Sequence, residues 1–327
     1  MIKTNELQGK NILYIGLNYF SYPEKITEQL KSFGAKVDFF PIYENGNKIK
    51  IIRRLSSKLE KIQTKKYFSK LLINNKDYDY VFFITVHWVP LEIMEEIKNK
   101  FSNSKFILYN WDSVITHDVI PYVKYFHKVF SFDPIDCEKY NFNYLPLFFS
   151  KDYENIRQHD LRKNKLTFIG RFNNIRRYHF VKKVDKICQN INLDFFHYLF
   201  IHPTTFIKIC LENKKLLNLK YFKFNSLSSK EISKIFKEST CIIDLPNNFQ
   251  SGLTMRVIES LGSHKKLITT NHNIKNEEFY NPKIINILNP SDMKIDLDFI
   301  NSRASSKDFE KIENYSLKNW IINIFRN

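Results

Sequence analysis

Short apolar runs alternate with helical stretches along almost the whole chain, and this alternation constrains the fold more than any single motif does. Residues 10 to 43 set the pattern. KNILYIGLNYF is an apolar, β-rich run, SYPEKITEQLKSFG spaces its apolar residues three or four apart as a helix does, and AKVDFFPIY is a second apolar run. Gly34 stands where a helix C-cap is expected. Strands that are apolar on both sides belong to parallel sheets covered by helices, so the pattern reads as β-α-β units.

A Lys-rich amphipathic segment from about Lys48 to Asn75 reads as one or two solvated helices, and the alternation then resumes. Tyr80 to Trp88 (YVFFITVHW) is a buried strand, Pro90 to Phe101 a helix with Pro in its first turn, and Lys105 to Asp112 (KFILYNWD) another strand. Lys128 to Asp133 and Tyr144 to Phe149 read as two further short strands. Between Ser150 and Lys165 the composition turns polar, as an interdomain connection does. A second alternation follows: strand Leu166 to Phe172, helix Arg176 to Asn190, strand Leu193 to Ile201, a helix opened by the capping pattern Ser228/Ser229 with Glu231, strand Cys241 to Pro246, the helix LTMRVIESLGS and strand Lys266 to Asn271. Glu310 to Phe325 reads as a terminal helix. The expected fold is α/β, with two Rossmann-like domains facing a cleft and the C-terminal helix packing back on the N-terminal domain. The expected boundaries are 1–150, a linker 151–165, a second domain 166–308 and the terminal helix 309–327.

Composition narrows the class. At 327 residues, 43% hydrophobic, with 7 Gly and 10 Pro, the chain is neither disordered nor collagen-like. Its four cysteines, Cys137, Cys188, Cys210 and Cys241, form no CxxC pair, which argues against a zinc ribbon or a disulfide framework and fits a reducing cytosol. No signal-peptide layout and no run of the ~20 apolar residues of a membrane span is present, so the expected location is cytoplasmic. The formal charge of +17 attracts polyanions, although only ten of the 51 basic residues are Arg. The aromatic residues lie in apolar strand runs rather than interleaved with basic ones, which weighs against nucleic acid as a partner.

In open α/β sheets, ligands bind beyond the carboxyl ends of the strands. In the second half these positions are Gly170 and Arg171, Asp244 to Ser251, and Asn271. In NNFQSGLTMRVIESLG a polar loop containing Gly252 runs into a helix near Thr254, and the free N–H groups and positive dipole end of such a helix suit a diphosphate. Arg256 and Arg171 supply charge-assisted hydrogen bonds to it, and Glu259, five residues after Thr254, is placed to accept ribose hydroxyls. In the first half the strand ends offer Asn18 and Tyr19 as acceptor-binding residues and His87 and Asp112 as a general base, with His117, Asp118, Asp133 and Asp136 as secondary candidates. The structural alternatives are a hydrogen-bonded core histidine at 87 and turn or helix caps at the aspartates. Asp77-Tyr78-Asp79 has a DxD spelling but precedes a strand, no HxxxH or HExxH spacing occurs, and no Walker A, complete GxGxxG or GxSxG is present, so no metal and no cofactor are expected.

The segment QSGLTMRVIESLGSHKKLITTN resembles the nucleotide-sugar-binding segment of GT-B glycosyltransferases, in particular bacterial lipopolysaccharide or capsule glycosyltransferases and CgeB-like proteins. FIGR (Phe168 to Arg171), YNWDS (Tyr109 to Ser113) and FSFDPID (Phe130 to Asp136) resemble other segments of that group. The resemblance implies that Glu259 is the second Glu of a Glu-x7-Glu motif and binds ribose, while Ser251 stands where the first Glu would be. Its implied activity is metal-independent transfer of a sugar from a nucleotide sugar to a surface polysaccharide or lipid-linked acceptor; separately, the charge of the segment around Lys48 to Lys70 offers an anionic membrane surface as a further partner, with a solvated helix pair as the alternative. The rival readings are a nucleotide-sugar epimerase of the same shape and a non-catalytic basic protein that binds nucleic acid or membrane.

Overall fold

A computed structural model of the protein describes residues 7–18, 21–44, 57–158, 164–213, 217–247 and 250–326. These contain two six-stranded, parallel sheets. The first comprises β1 (Asn11–Gly16), β2 (Lys36–Pro41), β3 (Tyr80–Ile84), β4 (Lys105–Asn110), β5 (Lys128–Ser131) and β6 (Asn143–Tyr144), in the order β2-β1-β3-β4-β5-β6. The second comprises β7 (Asn164–Arg171), β8 (Phe195–Phe200), β9 (Phe222–Lys223), β10 (Ser239–Asp244), β11 (Lys266–Thr269) and β12 (Ile285–Ile287), in the order β9-β8-β7-β10-β11-β12. Both are the doubly wound orders of Rossmann-like folds, and each reverses direction once, between β1 and β3 and between β7 and β10.

Eleven α-helices carry the crossovers and covers among the described residues: α1 (Tyr22–Ser32), α2 (Ser57–Leu72), α3 (Leu91–Lys100), α4 (Pro134–Tyr140), α5 (Lys151–Glu154), α6 (Ile175–Asn190), α7 (Pro203–Asn213), α8 (Ser229–Glu238), α9 (Met255–Gly262), α10 (Leu297–Asn301) and α11 (Leu317–Phe325). Sequence pattern explains their starts: Pro23 lies in the first turn of α1, and Ser228 with Glu231 forms a reciprocal capping box at α8. The strand period of two explains the covers. On β3, Val81 and Phe83 join the core cluster that holds Ile93, Met94 and Ile97 of α3. Tyr80 and Phe82 meet α11 instead, Tyr80 against Phe325 and Phe82 against both Phe325 and Trp320, and Trp320 also packs edge-on against Tyr109 at 4.7 Å.

The chain divides into two compact units, Met1–Pro146 with Phe249–Gly252 and Leu317–Asn327, and Leu147–Asn248 with Leu253–Ser316. The C-terminal helix thus packs with the first sheet, as expected. Three sequence expectations differ from the structure. Tyr144 to Phe149 contributes only Tyr144 to a strand, the last residue of β6, since Pro146 has no N–H to donate and Phe149 makes a lone bridge with Ser316. The polar stretch 151–165 is not an open connection at its start: it forms α5 and a 3-10 turn (Asn155–Gln158) that bury Tyr153 and Ile156. The terminal helix is interrupted, because Ser316 is extended (φ −66°, ψ 151°) between a 3-10 segment (Ser306–Tyr315) and α11. Helix α7 and the two short outer strands β9 and β12 had no expectation.

Gly262, the last residue of α9, touches the ring of Phe149: an added Cβ would lie 2.3 Å from Cγ and 2.8 Å from Cβ of that residue. Alanine ordinarily stabilises a helix relative to glycine. Here overpacking reverses the sign, and Gly262→Ala is expected to destabilise the protein by about 1–3 kcal/mol in urea unfolding. A stabilised variant would refute the close packing.

Candidate functional site

At the carboxyl edge of the second sheet, the ends of β7 and β10 bring together Gly170, Arg171 and Thr254 of the residues singled out in that half. β7 ends in Gly170 and the exposed Arg171. A Cβ on Gly170 would lie 2.9 Å from the ring of Phe168, so packing alone accounts for that glycine. β10 ends in Asp244, which is 6% exposed. Its Oδ1 accepts from the Thr254 hydroxyl at 3.1 Å, while Oδ2 is buried without a hydrogen-bond partner. Thr254 is the N-cap of α9 and its hydroxyl also accepts from Val257 N at 3.3 Å, so one side chain ties the helix start to the strand end. Burial raises the Asp244 carboxyl above the usual carboxylate range, against the opposing pull of Arg177, Thr254 and Arg256.

Arg177 is the residue that sequence reasoning missed. It lies in the first turn of α6, whose N-cap is Asn174, and its guanidinium donates from Nη1 to the Arg171 carbonyl (2.7 Å) and from Nη2 to the Leu245 carbonyl (2.7 Å). It therefore joins the two strand ends at the point where the sheet reverses. Its neighbourhood, RRYHF, carries no local signal that a helix residue reaches two strand ends.

Arg256 and Glu259 face each other on α9, Nη1 to Oε2 at 2.9 Å, with Glu259 2% exposed. The Arg256 guanidinium lies over the Phe236 ring at 5.2 Å. Both residues hydrogen-bond the buried Tyr153, whose hydroxyl is raised well above its ordinary pKa, first by burial and then by Glu259. The expected ribose carboxylate and phosphate arginine thus form a buried pair with one another. Ser251 and Gly252 group with the first unit. Ser251 N donates to Asp133 Oδ2 at 3.0 Å and its hydroxyl bonds Asp133 Oδ1, and a Cβ on Gly252 would lie 2.4 Å from the Phe132 carbonyl oxygen. Close approach to the chain at Phe132, rather than a phosphate cradle, accounts for this glycine.

The first sheet reverses between β1 and β3. Asn18 is exposed two residues beyond β1, and Tyr19 lies outside the described residues. Past β3, Thr85 adopts φ 60° while fully buried, and its hydroxyl bonds His87 Nδ1 at 2.8 Å. The His87 ring stacks on His117, with centroids 3.7 Å apart and planes 3° from parallel, and its Nε2 is buried without a hydrogen-bond partner. Burial, with His117 beside it, pushes His87 down to about 4. Past β4, Asn110 Nδ2 donates to the Asp112 carbonyl (2.6 Å), and Asp112 Oδ2 stands 4.0 Å from His117 Nε2. Burial raises the Asp112 carboxyl and His117 opposes the rise.

The structure therefore brings His87, Asp112 and His117 together. The other aspartates have backbone work: Asp118 accepts from Ile120 N, Asp133 from Ile135 N, and Asp136 from Val114 N. Asp79 of the DxD spelling accepts from Lys10 Nζ (2.7 Å) and Asn11 N (2.9 Å). Among the described residues, no group of three or more His, Cys, Asp or Glu is placed to hold a metal ion.

No family model matches this sequence, and no curated protein sequence matches it. Among solved structures, the chain is similar to the catalytic domain of starch synthase IV from Arabidopsis thaliana bound to ADP and acarbose, with TM-score 0.52 and 8% identity over 95% of each chain. It is also similar to the apo form of the lipopolysaccharide outer core galactosyltransferase WaaB (TM-score 0.49, 12% identity, covering 96% of this chain and 99% of that one). The first likeness is one of fold, and with the two strand orders it gives the expected GT-B class, two Rossmann-like domains.

The low pKa of His87 has a stability consequence. An unfolded histidine titrates near 6.5, so below that pH the unfolded chain takes a proton that the folded chain refuses until about 4. The contribution of His87 is complete above pH 6.5 and is lost as the pH falls toward 4. In urea unfolding at pH 7.5 and 5.0, His87→Gln is expected to lose less stability across the interval than the parent. Equal losses would refute the assignment.

Proposed function

We propose that this protein is a metal-independent glycosyltransferase that moves a sugar from a nucleotide diphosphate sugar to a surface-polysaccharide or lipid-linked acceptor. The observation that carries the reading is the crevice between β7 and β10. There an exposed arginine (Arg171), a half-buried arginine that joins the strand ends (Arg177) and the capped N-terminus of α9 converge, beside a buried carboxyl with an unpartnered oxygen. Such an edge suits a diphosphate, because helix N–H groups and guanidinium groups supply preorganised positive charge. The solved starch synthase domain, which holds ADP and acarbose, is a nucleotide- and glycan-binding example of the fold.

In this reading Arg171 and the α9 N-terminus stabilise the charge that develops on the leaving diphosphate. Arg256 turns from Glu259 to the diphosphate, and the released carboxylate accepts two ribose hydroxyls. On the acceptor side, His117 takes the hydroxyl proton with the Asp112 carboxyl 4.0 Å from its Nε2, while His87 stays neutral because its protonation is suppressed by burial. The protein works in the cytoplasm at the membrane surface. No helix of the described residues is long and apolar enough to cross a membrane, and α2 exposes Leu59 (52%) and Ile62 (59%) beside Lys58, Lys61, Lys65 and Lys66, a face suited to anionic lipid. Arg53 and Arg54 lie outside the described residues.

Calorimetric titration with UDP, GDP, CMP, ADP and dTDP, with and without magnesium, tests the reading. Saturable binding of one nucleotide that does not depend on magnesium is expected, and Arg171→Ala is expected to weaken it about tenfold or more, the value of a charge-assisted hydrogen bond. Arg171 is the better probe than Glu259, because removal of the buried Glu259 carboxylate would also break its ion pair with Arg256 and disturb the fold. No binding by any nucleotide would overturn the reading.

A further inference from the structure

The first unit has a second concave feature, beside the His87 group but formed by other residues. After β2, Tyr43 and Glu44 meet Gln63 and Tyr67 of α2 and Trp88 of the loop after β3, around a pocket of about 160 Å³. That is smaller than the roughly 300–1,000 Å³ of sites for drug-sized ligands, and it has room for one sugar ring. Two of its walls are aromatic planes: the rings of Tyr43 and Trp88 stand 5.7 Å apart at 52°, and Trp88 is 44% exposed. Its rim is polar and oriented, for Gln63 Nε2 donates to Glu44 Oε2 at 2.9 Å, which fixes a carboxylate and an amide side by side.

This combination selects a chemical class. A pyranose presents an apolar C–H face to an aromatic plane and a ring of hydroxyls that donate to a carboxylate and exchange hydrogen bonds with an amide. A hydrocarbon chain would cover the Glu44 carboxyl and the Gln63 amide and supply neither with a hydrogen bond in place of water. A phosphate would find no surplus positive charge, because Glu44 and Glu60 at the rim offset Lys61 and Lys70, and Lys70 Nζ lies 3.7 Å from Glu44.

We infer that this pocket binds a neutral pyranose, and that the ring it holds is a sugar of the acceptor next to the one that receives the transferred residue. The second clause rests on the glycosyltransferase reading. The placement supports it, since Trp88 follows His87 directly and their rings are 5.0 Å apart. The acceptor is then a glycan of at least two residues rather than a bare lipid carrier.

Saturation-transfer NMR of the full chain with methyl glucoside, methyl galactoside and methyl N-acetylglucosaminide tests the inference, with the nucleotide titration run on the same samples. Transfer to the ring C–H protons of at least one glycoside is expected, reduced at least fivefold in Trp88→Ala and in Gln63→Ala. Both variants are expected to keep the parent melting temperature and nucleotide affinity, and two variants on different elements guard against misfolding of one. Absence of transfer to all three glycosides, or transfer unchanged in both variants, overturns the inference whatever the nucleotide result. Trp88-dependent transfer without nucleotide binding leaves the pyranose pocket standing and removes the acceptor assignment.

Discussion

Because every strand pair in both sheets is parallel, all carboxyl ends of a sheet lie along one edge, and the rest of the molecule is arranged around that constraint. Parallel strands cannot be joined by tight turns, so each connection crosses a face and returns, and helices cover both faces. A crevice opens only where the strand order reverses. The two groups of buried or half-buried polar side chains described above fall at those reversals: Thr85 and His87 beyond β3, Asp244 and Arg177 beyond β10.

The two edges handle buried polarity in different ways. In the second unit Arg256 and Glu259 form an ion pair, because a buried carboxylate without a partner is far more costly than a paired one. In the first unit charge is suppressed: His87 is pushed toward its neutral form and Asp112 toward its acid.

Much of the fold was legible from periodicity. β1, β3, β4 and β10 each coincide with an apolar run, because a strand buried on both faces writes its whole length in apolar residues. The outer strands β9 and β12 were not legible, as two or three residues make no pattern. Helix α7 was missed because PTTFIKICLEN exposes Ile207 (58%) and Leu211 (75%), which blurs its period. For the candidate site, strand-end logic pointed to His87, Asp112, Arg171 and Thr254. It could not point to Arg177 or rank His117, because their contacts come from distance across the fold: a guanidinium spanning two strand ends, and one imidazole stacked on another. Gly170 and Gly252 show the converse, glycines that read as ligand approaches and are explained by neighbouring Phe168 and Phe132.

The first sheet is completed from both directions along the chain. Tyr80, Phe82 and Tyr109 are covered by Trp320 and Phe325, which are synthesised only after the whole second unit. At translation speeds of about 5–20 residues per second, the roughly 170 residues between Pro146 and Leu317 take on the order of 10–30 s to make. During that interval the nascent first unit presents an uncovered aromatic face, so its last nine helical residues act in synthesis as a clasp and in the finished protein as core.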